Sequence, residues 1–170
     1  MTVQERQALV RDFCRLAGEP FNEAPEPPSQ REAALRASFL LEELFELFEA
    51  LGVRVIYRTC IDRPIRSPDG FDEDVIKADS LRIEANGEQP NLVEITDALR
   101  DLEYHIHGAE LSFGVQDASD ATFLEVHRSN MEKRFGCGGD KAVKPSDWKP
   151  PRIREILRKL FPKKALLFRS

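Results

Sequence analysis

Apolar residues recur every three or four positions over most of this chain, which predicts an all-α fold of four to five helices. The first helix covers residues 3–17, gathers Leu9, Phe13 and Leu16 on one face, and stops at Gly18. The stretch EPFNEAPEPPS that follows is rich in residues that avoid regular structure. It predicts an extended surface connection to the second helix.

The second helix has a capping signature at its start and an acidic row near its end. Ser29, with Glu32 three residues later, forms the capping pattern, and the helix runs to Gly52. The segment FLLEELFELFEALG contains four carboxylates and no lysine or arginine, although like charges at this spacing repel each other. The four are Glu42, Glu43, Glu46 and Glu49. We expect a cation from elsewhere to balance them.

Residues 53–89 interrupt the helical pattern. The segments VRVIYRTC and SLRIEAN are β-branched and alternating, and the residues between them are rich in turn formers. We expect an insertion that forms an irregular loop or a β-hairpin. The chain length of 170 residues predicts a single domain, residues 1–170, that contains this insertion.

Three further helices complete the predicted bundle. The third follows Asn91 and continues through LVEITDALRDLEYHIHGAELSFG. The fourth begins near Ser119 or Asp120, either of which is a suitable N-cap, and continues to Gly136.

A flexible loop and a short helix end the chain. Residues 136–150 are rich in glycine and lysine and predict the loop. The last helix begins near Pro151 and ends before Pro162. Its inward-facing residues are expected to be Ile153, Ile156, Leu157 and Leu160.

The third helix also has an acidic row, because Glu94, Asp97 and Asp101 stand at i, i+3 and i+7. If two antiparallel helices bring their acidic rows together, some carboxylates must be protonated unless cations bind between them. All-oxygen ligands suit Mg²⁺ or Mn²⁺. The alternative is two solvated helix faces, with Glu94 as a capping residue and Glu103 as the partner of Arg100.

Composition excludes several classes of partner. A formal net charge of −5 argues against binding to a nucleic acid polymer, which requires a basic surface. No apolar run approaches the roughly 20 residues of a spanning helix, so we expect a cytoplasmic protein without membrane contact. Cys14, Cys60 and Cys137 are too far apart for a zinc motif and are expected to be reduced and structural.

Three parts of the sequence resemble one known group of enzymes. They are EELFE in the second helix, acidic residues at E-x-x-D spacing in the third, and EVHRSNMEKRF followed by GGDKAVKPSDWKPP. Together they resemble the all-α nucleotide pyrophosphohydrolases of the MazG and phosphoribosyl-ATP pyrophosphohydrolase superfamily. The resemblance covers most of the chain outside residues 53–89. It implies a MazG-like bundle that assembles as a homodimer or homotetramer.

The resemblance also implies a metal site. In that superfamily an E-x-x-E motif and a later E-x-x-D motif hold Mg²⁺ or Mn²⁺. Glu43 and Glu46 match the first motif, and Glu42 stands beside them. Glu42 or Glu46, whichever the metal occupies less, is expected to deprotonate the attacking water.

The second motif has two possible registers. Glu94 and Asp97 have the literal E-x-x-D spacing, whereas the distance to Gly108 and to the HRSNM segment selects Asp101. In the latter register Asp97, one turn before Asp101, replaces the glutamate. All three acidic residues are therefore candidate metal ligands.

The same resemblance implies contacts with a nucleotide. Lys133 is expected on phosphate oxygens and Asn130 on the sugar or a phosphate. Independently of the resemblance, the glycines around Lys141 and Lys144 suit a flap that closes over bound phosphates, and the alternative is a disordered connection. Trp148 either stacks on a base or anchors the loop, and we favour the anchor because it is the only tryptophan.

The implied reaction is hydrolysis of the α–β phosphoanhydride of a (d)NTP to the monophosphate and pyrophosphate, for housecleaning of the nucleotide pool. One alternative is a phosphoribosyl-ATP pyrophosphohydrolase. The other is a non-catalytic helical module that binds nucleotides or regulates a partner.

Overall fold

A computed structural model of the chain describes residues 1–57, 65–66, 72–73, 81–134 and 142–168. These residues form five α-helices and two small antiparallel sheets, and the predicted mostly helical fold with an inserted hairpin is confirmed. The elements are α1 (Val3–Ala17), α2 (Gln30–Ala50), β1 (Val53–Tyr57), β2 (Ile65–Arg66), β3 (Asp72–Glu73), β4 (Leu81–Ala85), α3 (Leu92–Phe113), α4 (Ser119–Met131) and α5 (Ile153–Leu160).

The chain divides into two compact units. The terminal unit comprises Met1–Ala37 and Tyr104–Ser170, and the central unit comprises Ser38–Glu103. Helices α2 and α3 each contribute residues to both units. A single domain over residues 1–170 stays a prediction.

Helix α1 has the predicted bounds, because both of its ends are set by local signals. Thr2 and Glu5 form a capping box at its start, and Gly18 ends it with a φ of 70°, which favours glycine. The predicted apolar face of α1, however, is exposed. Leu9 and Phe13 are exposed, and Leu16 is 89% exposed.

The core of the terminal unit lies beside this row, on an adjoining face of α1. Val10 and Cys14 pack there against Leu111 of α3, and Phe21 and Tyr104 cover the cluster. Burial and the neighbouring Glu19 raise the pKa of the Cys14 thiol. Cys14 is thus a structural thiol, as predicted, whereas the positions of the other two cysteines lie outside the described residues.

A polar network joins α1 and α4 to the end of α3. The carboxylate of Glu110 accepts hydrogen bonds from Gln7 Nε2 at 3.0 Å and from Ser119 Oγ at 2.8 Å, and lies 2.9 Å from His107 Nδ1. Because Ser119 turns to Glu110, it does not cap α4. Ala118, the last residue of a 3₁₀ turn, occupies the N-cap instead, so the predicted cap was wrong.

The proline-rich connection follows the end of α3. Asn22 N donates to Leu111 O at 2.8 Å, and Glu26 N donates to Phe113 O at 3.1 Å. Gly114 lies beneath it with a φ of 69°, and a Cβ there would stand 2.1 Å from Ala24 O. Only glycine fits this position.

The central unit contains the inserted hairpin. Strands β1 and β4 pair in antiparallel register from Val53↔Ala85 to Tyr57↔Leu81, and β2 pairs with β3. Of the two structures expected for residues 53–89, the hairpin is confirmed in the part that is described. At its base, a Cβ on Gly52 would stand 2.5 Å from Glu88 O.

The chain after α4 differs from the prediction. Helix α4 ends at Met131 rather than at Gly136, because Arg134 pairs with Val143 in an antiparallel bridge. Helix α5 has the expected bounds, but Leu160 is 43% exposed, so its predicted inward position was wrong. Over the residues described, helices of the length and apolarity needed to cross a membrane are absent.

Candidate active site

The acidic row of α2 borders a cleft in the central unit. Glu42, Glu46 and Glu49 line this space of about 460 Å³ together with Val53 and Val55 of β1. All three glutamates are exposed. Glu43 is half-buried and does not line the cleft. The first strand of the hairpin thus lines the cleft together with the acidic row.

The acidic row of α3 borders a second cleft. Glu94 and Asp97 line this space of about 560 Å³ with Arg100, and Asp101 is also exposed. Asn91 caps the helix by accepting a hydrogen bond from Val93 N at 3.0 Å. Arg100 forms an ion pair with Glu103, as the solvated-face alternative expected for that pair.

The two acidic rows do not form one metal cluster in this structure. Among the described residues, no three His, Cys, Asp or Glu side chains lie close enough together to hold an ion. The chemistry of the donors still fits a hard cation, since they are all carboxylates. Within the described part of the chain, lysine and arginine form no ion pair with the exposed members of the two rows, which are Glu42, Glu46, Glu49, Glu94, Asp97 and Asp101. Their assignment as metal ligands stays a prediction.

Three of the four predicted nucleotide-binding residues lie together in the terminal unit. Lys133 Nζ donates to Asn130 Oδ1 at 2.7 Å, and it lies 6.0 Å from the centre of the Trp148 ring. Lys144 Nζ lies over the same ring at 4.4 Å. The fourth residue, Lys141, lies outside the described residues.

Trp148 anchors the segment after the loop to α4. Its indole Nε1 donates to Ser129 O at 2.9 Å, and Ser129 Oγ donates to Lys149 O at 3.1 Å. The ring also borders a cleft of about 430 Å³ that Arg134 and Lys149 help to line. Of the two functions considered for Trp148, the structure shows the anchor.

Glu125 of α4 is a heavily hydrogen-bonded carboxylate that no sequence pattern singled out. It is 8% exposed and accepts hydrogen bonds from Arg128 Nε at 2.9 Å and Nη2 at 2.8 Å. It also accepts from Arg152, through the backbone N at 2.9 Å and Nε at 3.1 Å. These bonds, from Arg128 above all, hold the pKa of the Glu125 carboxyl well below its usual range. The spacing of Glu125 and Arg128 was a visible signal, whereas the contact with Arg152 spans 27 residues.

A sequence model of one family matches this chain. The phosphoribosyl-ATP pyrophosphohydrolase model matches residues 10–130. The matched range contains both acidic rows and Asn130, and it ends before Lys133 and Lys144. No curated protein matches the chain. Because the match covers more than half of its length, the chain belongs to the phosphoribosyl-ATP pyrophosphohydrolase family of the MazG-like all-α superfamily, whose members hydrolyse acid anhydrides.

Proposed function

We propose that this chain hydrolyses the α–β phosphoanhydride of phosphoribosyl-ATP and releases pyrophosphate. The observation that carries the proposal is the family match over residues 10–130, which includes both acidic rows. It favours this substrate over the general (d)NTP pool that the sequence motifs suggested first. Family membership also makes the chain an enzyme, so a non-catalytic module is not favoured.

The acidic rows supply the residues for a divalent cation, on which the family typically depends. We assign Glu43, Glu46, Asp97 and Asp101 as the residues that would hold Mg²⁺ or Mn²⁺, with Glu42 and Glu94 beside them. When bound, the ion supplies positive charge to the phosphate oxygens. The exposed carboxylates of Glu46, Asp97 and Asp101 form no ion pair with a lysine or arginine of the described residues, which supports this assignment.

The chain's own residues account for the remaining chemistry. Glu42 or Glu46 accepts the proton of the attacking water, since both border the same cleft. Lys133 and Lys144 neutralise the phosphates, and Asn130 contacts the sugar or a phosphate. Their grouping around Trp148 supports a common site for one polyanionic ligand. Lys141 is assigned to the same site from its position in the sequence.

Hydrolysis of (d)NTPs, as in housecleaning of the nucleotide pool, is the second candidate function. The family match ends at residue 130, so the lysines assigned to the phosphates lie beyond it. Those lysines and the carboxylates would serve any substrate with the same phosphoanhydride. The reaction is that of a cytoplasmic enzyme in either case.

We also propose that the chain acts as a homodimer or homotetramer. The apolar row of α1 supports this, because Leu9, Phe13 and Leu16 are exposed together. Two apolar residues of α4 are exposed as well, Phe123 to 73% and Leu124 to 66%. Apolar surfaces of this kind are typically covered by a partner. Light scattering of the purified protein tests the assembly.

The reaction is tested by measuring pyrophosphate release from phosphoribosyl-ATP and from a panel of dNTPs and NTPs, with Mg²⁺ or Mn²⁺. Glu46→Ala, purified in parallel, serves as the control for contaminating hydrolases. We expect the highest kcat/KM on phosphoribosyl-ATP and its loss in the variant. A higher kcat/KM on a (d)NTP would select the second candidate, and no release from any nucleotide would contradict both.

A further inference from the structure

The segment that carries Trp148 is fastened to α4 at two levels. At the first level Glu125 accepts hydrogen bonds from the backbone N and the Nε of Arg152 at 2.9 and 3.1 Å. At the second level Ser129 binds Lys149 O through its hydroxyl and Trp148 Nε1 through its carbonyl. Glu125 and Ser129 stand four residues apart, so they lie on one line of the helix.

The same line of α4 continues to Lys133, one of the two lysines beside Trp148. Lys133 follows Ser129 by four residues, just past the end of α4, and its backbone N donates to Asn130 O at 3.1 Å. On the fastened segment, Lys144 lies over Trp148 at 4.4 Å. Lys133 approaches that ring from the α4 side at 6.0 Å. The distance between the two ammonium groups thus depends on how the segment is attached to α4.

We infer that Glu125 and Ser129 are positioning residues, which set the separation of Lys133 and Lys144 and thereby the affinity for a pyrophosphate group. This inference rests on the proposed function, in which both lysines bind phosphates. Neither Glu125 nor Ser129 is expected to touch the ligand. The carboxylate of Glu125 is hydrogen-bonded to Arg128 and Arg152, and Ser129 is 1% exposed. A site whose cations are fixed in advance binds an anion more tightly than one whose cations must first be ordered.

Three variants separate positioning from charge. Arg152→Ala removes the side-chain donor from Glu125 but leaves Arg128 in place to neutralise it. Ser129→Ala removes the bond to Lys149 without changing any charge. Arg154→Ala is the matched control, since it removes the same charge from an exposed residue that is not a partner of Glu125.

The direct readout is the fluorescence of Trp148, the only tryptophan of the chain. The full-length protein is titrated with inorganic pyrophosphate in the presence of EDTA, so that neither turnover nor a metal is required. We expect the Kd to rise about tenfold in Arg152→Ala and in Ser129→Ala, since small misplacements of binding groups have effects of this order or larger. Arg154→Ala is expected to keep the wild-type Kd. Thermal unfolding of each variant verifies that it is folded at the temperature of the titration.

A second readout uses the nucleotide substrate. The first two variants are expected to raise KM by a similar factor while kcat changes less. Arg152→Lys keeps a donor at this position and is expected to recover part of the affinity.

The outcomes distinguish the two proposals. Equal Kd values in all folded variants, or no pyrophosphate binding by the wild type, would overturn the positioning inference. The expected Kd pattern in a protein that hydrolyses no nucleotide would support the inference and contradict the proposed function. A rise in Arg154→Ala equal to that in Arg152→Ala would show that the effect is not specific to the bonds of Glu125, which also overturns the inference.

Discussion

The carboxylates of the central and terminal units differ in exposure and in their hydrogen-bond partners. The central unit has sixteen acidic and seven basic residues and a formal net charge of −9, and all members of its two acidic rows except Glu43 are exposed. The terminal unit has fourteen acidic and eighteen basic residues, a net charge of +4. In that unit the buried carboxylate of Glu125 accepts hydrogen bonds from two arginines. Glu125 therefore stabilises the fold of the terminal unit, whereas the exposed rows of the central unit are the carboxylates that we propose to bind a metal ion.

The difference between the two kinds of carboxylate has a physical reason. The carboxylate of Glu125 accepts four hydrogen bonds from Arg128 and Arg152, about as many as its two oxygens can accept, so little capacity is left for a metal ion. Exposed carboxylates in a row repel one another mildly, and they remain available to a cation. A metal ion that binds the exposed rows, as we propose, would not compete with the bonds of Glu125 that hold α4.

The largest expected effect concerns the acidic rows. Glu46→Ala and Asp97→Ala should each lower kcat/KM for pyrophosphate release by at least about 100-fold, since residues that merely support a metal ligand already contribute 10–100-fold. The free energy of unfolding should be unchanged or slightly higher, because a repelling charge is removed. Glu84→Ala, an exposed acidic residue of β4, is the control. Equal losses in the control and in the two variants would contradict the assignment of the acidic rows to the metal site.

The effect of Mg²⁺ on thermal stability should also differ between variants of the two units. Mg²⁺ should raise the midpoint of thermal unfolding in the wild type by mass action, and it should raise it less in Glu46→Ala. Glu125→Gln should retain the full response to Mg²⁺, because its carboxylate is occupied by Arg128 and Arg152. A reduced Mg²⁺ response in Glu125→Gln would show that the terminal unit also takes part in metal binding.

The next effect concerns backbone packing in the terminal unit. Gly18 and Gly114 have φ values of 70° and 69°, but only Gly114 faces backbone, since an added Cβ would lie 2.1 Å from Ala24 O. Gly18→Ala should lower the free energy of unfolding by about 1 kcal/mol, the cost of a left-handed alanine. Gly114→Ala should lower it by about 3 kcal/mol or more, because overpacking is added. Urea denaturation of both variants measures the difference, and equal losses would contradict the close approach to Ala24.

Local signals explain which parts of the fold were predictable. The bounds of α1 follow from its own residues, with Thr2 and Glu5 at one end and Gly18 at the other. The start of α4 did not follow from Ser119, because the Ser119 hydroxyl binds Glu110 nine residues earlier. Tertiary contacts of this kind override a local capping preference, and periodicity does not reveal them.

The candidate site shows the same limit. The acidic rows and the pair formed by Asn130 and Lys133 were visible because their members are close in sequence. The contact of Glu125 with Arg152 was not visible, since a spacing of 27 residues leaves no periodic trace. The apolar row of α1 was found, but the sequence pattern did not show that Leu9, Phe13 and Leu16 are exposed.

The pH dependence of stability tests how Glu125 is held. Its pKa in the folded chain lies below the unfolded value of about 4.3, chiefly because of Arg128. A lowered pKa means that the ionised group stabilises the fold above the unfolded value, and that this contribution is lost as the pH falls toward the folded value. The wild type should therefore exceed Glu125→Gln by a constant margin from pH 8 to about pH 5, and the margin should shrink in stronger acid. A margin that shrinks near neutral pH would contradict the assignment.

The smallest effect is expected from the ion pair between Arg54 and Glu84 on the hairpin. The pair spans 3.8 Å, and both side chains are well exposed, so water and salt screen it. A double-mutant cycle with Arg54→Ala and Glu84→Ala should give a coupling free energy below about 0.5 kcal/mol. A coupling well above this value would mean that the central unit, like the terminal unit, uses its carboxylates to hold its fold. The acidic rows beside the hairpin would then need a structural explanation before a catalytic one.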